Sequence, residues 1–360
     1  MTISDHHSLC HLLGIRHPII LAGMAGIPNM APLVAAVSNA GGLGTLGAAY
    51  MEPAQLHTAI QEIKALTSLP FAVNIFAQVG EDEYTQFESV NDQLQAARDE
   101  LKITRPTQDQ VRTRALMEEQ LDILIQQKVP VISTTFGLLS EQHMDKIHSA
   151  GIRVIGTATT VNEAIQAEQS GCHGIVAQGS EAGGHRGTFD VSSAPMGANI
   201  GTMALVPQIV DHVNIPVIAA GGIMDARGLI AALALGAQAV QMGTRFLTAT
   251  ESGAHPAYQQ ELLNSTEEST VLTNSFSGRP ARGISNSFIQ QWNAGGLSPL
   301  SFPTQNTLTR DIRNAAALQH RSEYMALWAG QGTRMLSSHL SAKEIVEQII
   351  DEANEIKGRL

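Results

Sequence analysis

Residues 171–187 read G-C-H-G-I-V-A-Q-G-S-E-A-G-G-H-R-G. An apolar run ends on Gln178 and passes into a loop holding Gly179, Gly183, Gly184 and Gly187, with Glu181, His185 and Arg186 among them. Backbone without Cβ atoms can approach a ligand closely, and an imidazole can move protons near neutral pH. A solvated histidine on a flexible surface loop fits the same residues. The decision comes from the rest of the chain.

Working outward, short apolar runs alternate with helical patterns. Strand-like runs lie at Pro18–Met24, Leu43–Leu46, Phe71–Ile75, Val129–Thr135, Arg153–Thr157, Ile175–Gln178, Ile215–Ala220 and Ala239–Met242. Helical patterns follow over Pro28–Ser38, Pro53–Leu66, Tyr84–Leu101, Thr107–Gln127, Ser140–Ala150, Val161–Ser170, Met203–Val213 and Ala226–Leu235, with Thr202 and Asp225 as expected N-caps of the last two. The strands are near-continuous apolar runs, as in a parallel sheet covered on both faces. Eight β/α units in about 245 residues predict a (β/α)8 TIM barrel; an open doubly wound sheet is the alternative. Beyond residue 246 the rhythm breaks. Residues 1–245 are expected to be the barrel, 246–319 a small appended domain or long loops over the site, and 320–360 C-terminal helices returning to the barrel. Asn306–Gly330 and Ser341–Lys357 read as helical.

The chain has 360 residues, 43% of them hydrophobic, enough for a sizeable core. Its net charge of -11, with no basic cluster, argues against a nucleic-acid partner. The two cysteines, Cys10 and Cys172, form no metal-ligand spacing, and His6-His7 is a poor metal site, so no metal is expected. No signal peptide or membrane span is read, and a cytoplasmic location is expected.

A TIM barrel carries its chemistry at the C-terminal strand ends. Those ends are Gly23-Met24, Asn74, Thr135, Gln178 with its glycine loop, Gly221-Gly222 and Gly243-Thr244. Loops after strands seven and eight commonly bind phosphate, and two glycine turns stand there. The amides Asn74, Gln178 and Gln241 suit a ligand with both donors and acceptors, such as a flavin ring. Gly42 to Gly47 spells G-x-G-x-x-G but has its strand inside the motif, so it is read as a decoy. No lysine lies between Lys146 and Lys343, which leaves strands five to eight without a Schiff base. Cys172 precedes strand six, at the wrong end for a nucleophile, and neither a G-x-S-x-G elbow nor paired carboxylates at neighbouring strand ends are present. His185 stands out as the proton-transfer candidate, with Glu181 and Arg186 expected to tune it in opposite directions. His57, His143, His148 and His212 fall in helical segments and read as surface residues.

Gln178 to Gly187, Gly221-Gly222-Ile223 and Gln241-Met242-Gly243-Thr244 together resemble the nitronate monooxygenase family, formerly called 2-nitropropane dioxygenases. Phe302-Pro303-Thr304-Gln305-Asn306 and Leu327-Trp328-Ala329-Gly330-Gln331 resemble the same family. The resemblance implies FMN on the barrel, contacted by Asn74, Gln178, Gly183, Gly222 and Gln241 to Thr244; Met24 and Gly221 complete the candidate cofactor set. It implies oxidation of an alkyl nitronate, such as propionate 3-nitronate, by O2 to a carbonyl compound and nitrite, with His185 facing the substrate. A homodimer is a possible state. Two positions depart from the family: Leu21-Ala22-Gly23-Met24, where relatives usually have Gln-Ala-Pro-Met, and Phe302, where relatives often carry Tyr. An NAD(P)H-dependent enoyl-thioester reductase on the same FMN barrel is the competing enzyme, and a flavin-binding module the non-enzymatic reading.

Overall fold

The computed structural model describes residues 8–336 and 339–359. His6 and His7 lie outside the described residues.

The strands, in chain order, are β1 (Ile19–Leu21), β2 (Gly44–Gly47), β3 (Phe71–Phe76), β4 (Val131–Thr135), β5 (Arg153–Ala158), β6 (Gly174–Gln178), β7 (Gly184–His185), β8 (Val217–Ala220), β9 (Ala239–Met242), β10 (Thr270–Thr273) and β11 (Ala281–Ile284). All but β7, β10 and β11 form one parallel sheet in the order β1-β9-β8-β6-β5-β4-β3-β2. A bridge between Ile20 and Leu43 joins its two ends, so the sheet closes into a barrel of eight strands. Strands seven and eight of the sequence reading are β8 and β9. The G-x-G-x-x-G stretch contains β2, as the decoy reading required.

The alternation of side chains along each strand sorts the barrel. Outward residues such as Val73, Ile132, Ile175, Ala219 and Val240 join the helices in the main apolar core. Inward residues, among them Ile20, Ala72, Val131, Ile155, Val176 and Ile218, pack with Leu9 and Leu13 of the helix Ser8–Leu13, which plugs the N-terminal end. Further along the same inward face, the residues become Asn74, Thr135, Thr157, Gln178 and Gln241, and all of these border a cavity. The strands thus turn from apolar to polar at their C-terminal ends.

A second apolar cluster caps that end. It draws Phe87, Val90, Leu94 and Leu101 from the segment between β3 and β4 together with Phe276, Phe288, Trp292, Ile312 and Leu327. Arg98, fully buried, ties the two by an ion pair to Asp311 at 2.8 Å and a hydrogen bond to Asn91 Oδ1. The last helix, Ala342–Lys357, starts on a Ser341/Glu344 capping box and buries Ile345, Ile349 and Ile350 in the main core, against the helices Ala226–Ala234 and Ala31–Asn39.

Several helices differ from the pattern reading. The segment expected as Tyr84–Leu101 is two helices, Phe87–Gln93 and Gln95–Leu101. Thr107–Gln127 shrinks to Met117–Gln126, because Thr113 gives its N–H and hydroxyl to the Asp82 carboxylate instead of to a helical turn. Asn306–Gly330 is helical only over Thr304–Leu308 and Arg310–Leu318 before a short turn at Ser322–Tyr324; Trp328 then bridges to Gly283, so this stretch runs along a sheet edge. Asp225 caps its helix, accepting from the Arg227 and Gly228 N–H groups. Thr202 does not cap. It is the first helical residue, and its N–H donates to the Glu181 carboxylate at 2.9 Å.

Candidate active site

The glycine loop after β6 is an ordered strap. Gly184 and His185 form β7, which pairs antiparallel with β11 in the register Ala281↔His185 and Arg282↔Gly184. Gln178 braces the loop on itself, donating from Nε2 to His185 O at 2.9 Å and accepting the Gly187 N–H at 2.7 Å. Arg186 is fully buried and donates to the carbonyls of Gln178, Gly179 and Ala198. Glu181 turns its carboxylate to the Thr202 N–H and hydroxyl, at the start of a helix where a negative charge is favoured. Glu181 and Arg186 therefore secure the loop; they are not what tunes His185. A Cβ on Gly183 would lie 2.5 Å from Ala329 C and Gly330 N, so only glycine lets the strap lie against the Trp328–Gly330 segment.

His185, Met24, Asn74, Gln178, Gly183, Gly221, Gly222, Gln241, Met242, Gly243 and Thr244 all line one cavity of about 410 Å3 at the C-terminal mouth of the barrel. Tyr50, Phe76, Phe276, Asn306, Arg313 and Trp328 border it as well. None of these was named as a site residue from the sequence. Asn306 and Trp328 lay inside quoted motifs, but no local signal marked Tyr50 or Arg313.

His185 borders the cavity and is half-buried by area, yet protein surrounds its ring. Phe136 lies edge-on at 5.6 Å and Trp328 at 5.5 Å. The Arg279 guanidinium sits 4.0 Å over the far neighbour, the Phe136 ring. Phe136 holds φ at 66°, a left-handed conformation that a bulky residue adopts at a cost, as at many functional sites. Burial first, then the charges of Arg279 and Arg313, push the His185 pKa down to about 3. The imidazole is neutral at pH 7.

Ser277 holds one nitrogen of the ring. His185 Nε2 and Ser277 Oγ are 2.8 Å apart. The Ser277 hydroxyl donates to Arg279 O at 3.1 Å and accepts the Arg279 N–H at 3.3 Å. The imidazole and the hydroxyl share the 2.8 Å contact, in which either can donate. The neutral ring thus brings one donor and one acceptor to the wall of the cavity.

The remaining wall suits a flat, polar cofactor with a phosphate. The N–H groups of Gly221, Gly222 and Gly243 donate to no acceptor among the described residues, in the turns after β8 and β9 where barrels of this type bind phosphate. The Gln241 side-chain amide makes no hydrogen bond among the described residues. Asn74 donates to Ser133 and Thr135 and keeps Oδ1 unused. Gly23, two residues past β1, accounts for one departure: a Cβ there would lie 2.4 Å from Asn74 Cβ. Phe302 explains the other, for it packs edge-on against Phe76 and Phe136, at 6.0 and 5.5 Å, as a second layer behind the wall. Cys172 is buried among Ser170 and Gly156 with its thiol pKa raised by burial, in keeping with a packing role.

Barrel, strap and cavity define the class: a TIM-barrel protein with its chamber at the C-terminal strand ends. The comparisons narrow it. The chain matches the profile of nitronate monooxygenase over residues 6–352. It is 44% identical over 351 residues to a probable nitronate monooxygenase of Staphylococcus saprophyticus, covering 97% of this chain and 98% of that protein. A nitroalkane oxidase structure from Streptomyces ansochromogenes superposes with a TM-score of 0.91 at 37% identity, covering 98% of this chain and 99% of the other. FabK from Thermotoga maritima superposes with a TM-score of 0.78 at 30% identity, covering 98% of each chain. The chain belongs to the nitronate monooxygenase family, a family of flavin-dependent oxidoreductases. No helix among the described residues is long and apolar enough to cross a membrane.

Proposed function

We propose that this chain binds FMN and oxidises alkyl nitronates with O2, giving a carbonyl compound and nitrite, and that propionate 3-nitronate is among its substrates. The observation that carries the reading is His185, held by Ser277 through Nε2, on the wall of a cavity that is also lined by glycine turns with unused N–H groups. In this reading the turns Gly221-Gly222 and Gly243-Thr244 hold the phosphate. Asn74, Gln178 and Gln241 meet the polar edge of the ring, and Met24, Gly183 and Met242 flank it.

FMN, when bound, supplies the electron transfer from nitronate to O2. The chain supplies the rest. His185 Nδ1 takes the α-proton when a neutral nitroalkane enters, and the resulting imidazolium lies beside the nitronate it has formed. Ser277 keeps the lone pair aimed by holding Nε2. Phe76, Phe276 and Trp328 exclude water from the reacting carbon. Arg279, behind Phe136, keeps the resting imidazole unprotonated.

Two measurements test the cofactor and the electron donor. Denaturing the purified protein is expected to release FMN, identified by mass; a colourless protein that cannot be reconstituted with FMN contradicts the reading. Anaerobic mixing with NADPH is expected to leave the flavin oxidised. Rapid bleaching would favour the enoyl-thioester reductase instead.

A further inference from the structure

Tyr50 and Arg313 come from opposite parts of the chain, the loop after β2 and the helix Arg310–Leu318, and meet at the same cavity. Each carries a buried polar atom with no partner, Tyr50 Oη and Arg313 Nε. Arg313 donates from Nη2 to Asn306 O at 2.6 Å and Asn306 Oδ1 at 3.1 Å, and it forms no ion pair among the described residues. The nearest carboxylate in sequence, Asp311, is taken by Arg98. Tyr50 is pushed up to about 12 by burial, against the pull of Arg313 and Arg310, so it is a neutral hydroxyl with a proton to give. Its ring stands edge-on to Phe76 at 5.4 Å. The Arg313 charge is also felt at His185.

A buried guanidinium without a counter-ion is unfavourable unless something else brings the negative charge. Asn306 takes only Nη2, which leaves Nε and Nη1 without a partner among the described residues, and the Tyr50 hydroxyl contributes no bond to the fold. A planar fork matches a planar anion with two oxygens, and a nearby hydroxyl can donate to one of them. Nitronate and carboxylate groups share that shape and charge.

We propose that Arg313 and Tyr50 form an anion subsite in the substrate chamber, which takes a planar two-oxygen anion: the nitronate group or a carboxylate on the substrate's chain. The inference deepens the nitronate reading and rests on it. In the first case Arg313 holds the charge that forms when His185 removes the α-proton. In the second it selects substrates that carry an acid at the far end.

The test uses the flavin-loaded protein and the variants Arg313→Met, Arg313→Lys and Tyr50→Phe. O2 uptake is followed with ethyl nitronate and with propionate 3-nitronate. In parallel, nitrate and propionate are titrated as inert probes, read by flavin absorbance and Trp328 fluorescence. Arg313→Met is expected to raise KM and weaken probe binding by about tenfold to a hundredfold, the range of a charge-assisted hydrogen bond. Arg313→Lys should recover part of this, and Tyr50→Phe should raise KM severalfold with Tm unchanged. A loss shared by both nitronates places the nitronate group in the subsite; a loss confined to propionate 3-nitronate places the carboxylate there. Unchanged KM and probe affinity in both the Arg313 and Tyr50 variants overturns the proposal, as does a loss of flavin retention with substrate KM intact. If Arg313→Met does not fold, Tyr50→Phe, which removes no bond of the fold, decides. A wild type that turns over no nitronate sinks the functional reading, while the probe titrations still test the subsite.

Discussion

At the scale of single residues, His185 depends on what lies behind it. In the proposed mechanism its lone pair is available at Nδ1 because Ser277 holds Nε2. Ser277→Ala leaves Nε2 without a fixed partner and frees the ring to change tautomer. We expect kcat with a neutral nitroalkane to fall about tenfold or more while flavin content stays full; an unchanged kcat would remove Ser277 from the mechanism. The pKa near 3 has a sign that can be checked. The folded chain resists protonation of His185, whereas the unfolded chain accepts it near pH 6.5. Between those values the unfolded state binds more protons, so stability rises with pH and its His185 contribution is lost as pH falls below about 6.5. For the same reason kcat/KM with a neutral nitroalkane should show no inflection from His185 between pH 6 and 8. An inflection there that vanishes in His185→Asn would contradict the assignment. The sequence placed His185 at the open end of the barrel, but it pointed to Glu181 and Arg186 as the tuning charges. Those two are consumed by the loop's own carbonyls and by a helix start. The charges that act, Arg279 and Arg313, lie far along the chain, where no local pattern connects them to His185.

At the scale of elements, the strap after β6 is the joint between the barrel and its cap. Its glycines read as places where a ligand comes close; at Gly183 the close neighbour is the chain's own backbone at Ala329 and Gly330. What was not legible is that Gly184-His185 forms a strand. Two residues carry no periodicity, and the partner β11 is about a hundred residues away, so pairing is a tertiary outcome. Replacing Gly183 by Ala sets a Cβ against backbone atoms that cannot rotate aside. A loss of about 1–3 kcal/mol in urea unfolding is expected, together with poorer flavin retention. Wild-type stability and full flavin content would show that the strap is not held against the Trp328–Gly330 segment. The long helix expected over Asn306–Gly330 failed for a related reason: its second half pairs with a sheet edge at Gly283, and side-chain periodicity cannot report that.

At the scale of the molecule, the barrel was the most legible feature. Eight apolar runs with helices between them leave little choice once right-handed parallel connections are assumed. The residues at the strand ends, Asn74, Gln178 and Gln241, were legible for the same reason, because a barrel gathers its C-terminal strand ends at one mouth. The cap was not. Its core combines Phe87–Leu101 with residues beyond Leu247, and nothing in either segment alone names the other. Tyr50 and Arg313, which the barrel and the cap bring together, stayed hidden with it. The central claim is that this mouth is a nitronate-oxidising centre with His185 as its base. Its most direct test is O2 uptake with nitrite release by flavin-loaded wild type and His185→Asn, assayed side by side on nitroethane and ethyl nitronate. The account predicts nitrite from both substrates in the wild type. In the variant it predicts full flavin content and a loss of at least about a hundredfold on nitroethane. A wild type that releases no nitrite from either substrate, or a His185→Asn protein that matches it on nitroethane, would contradict the account.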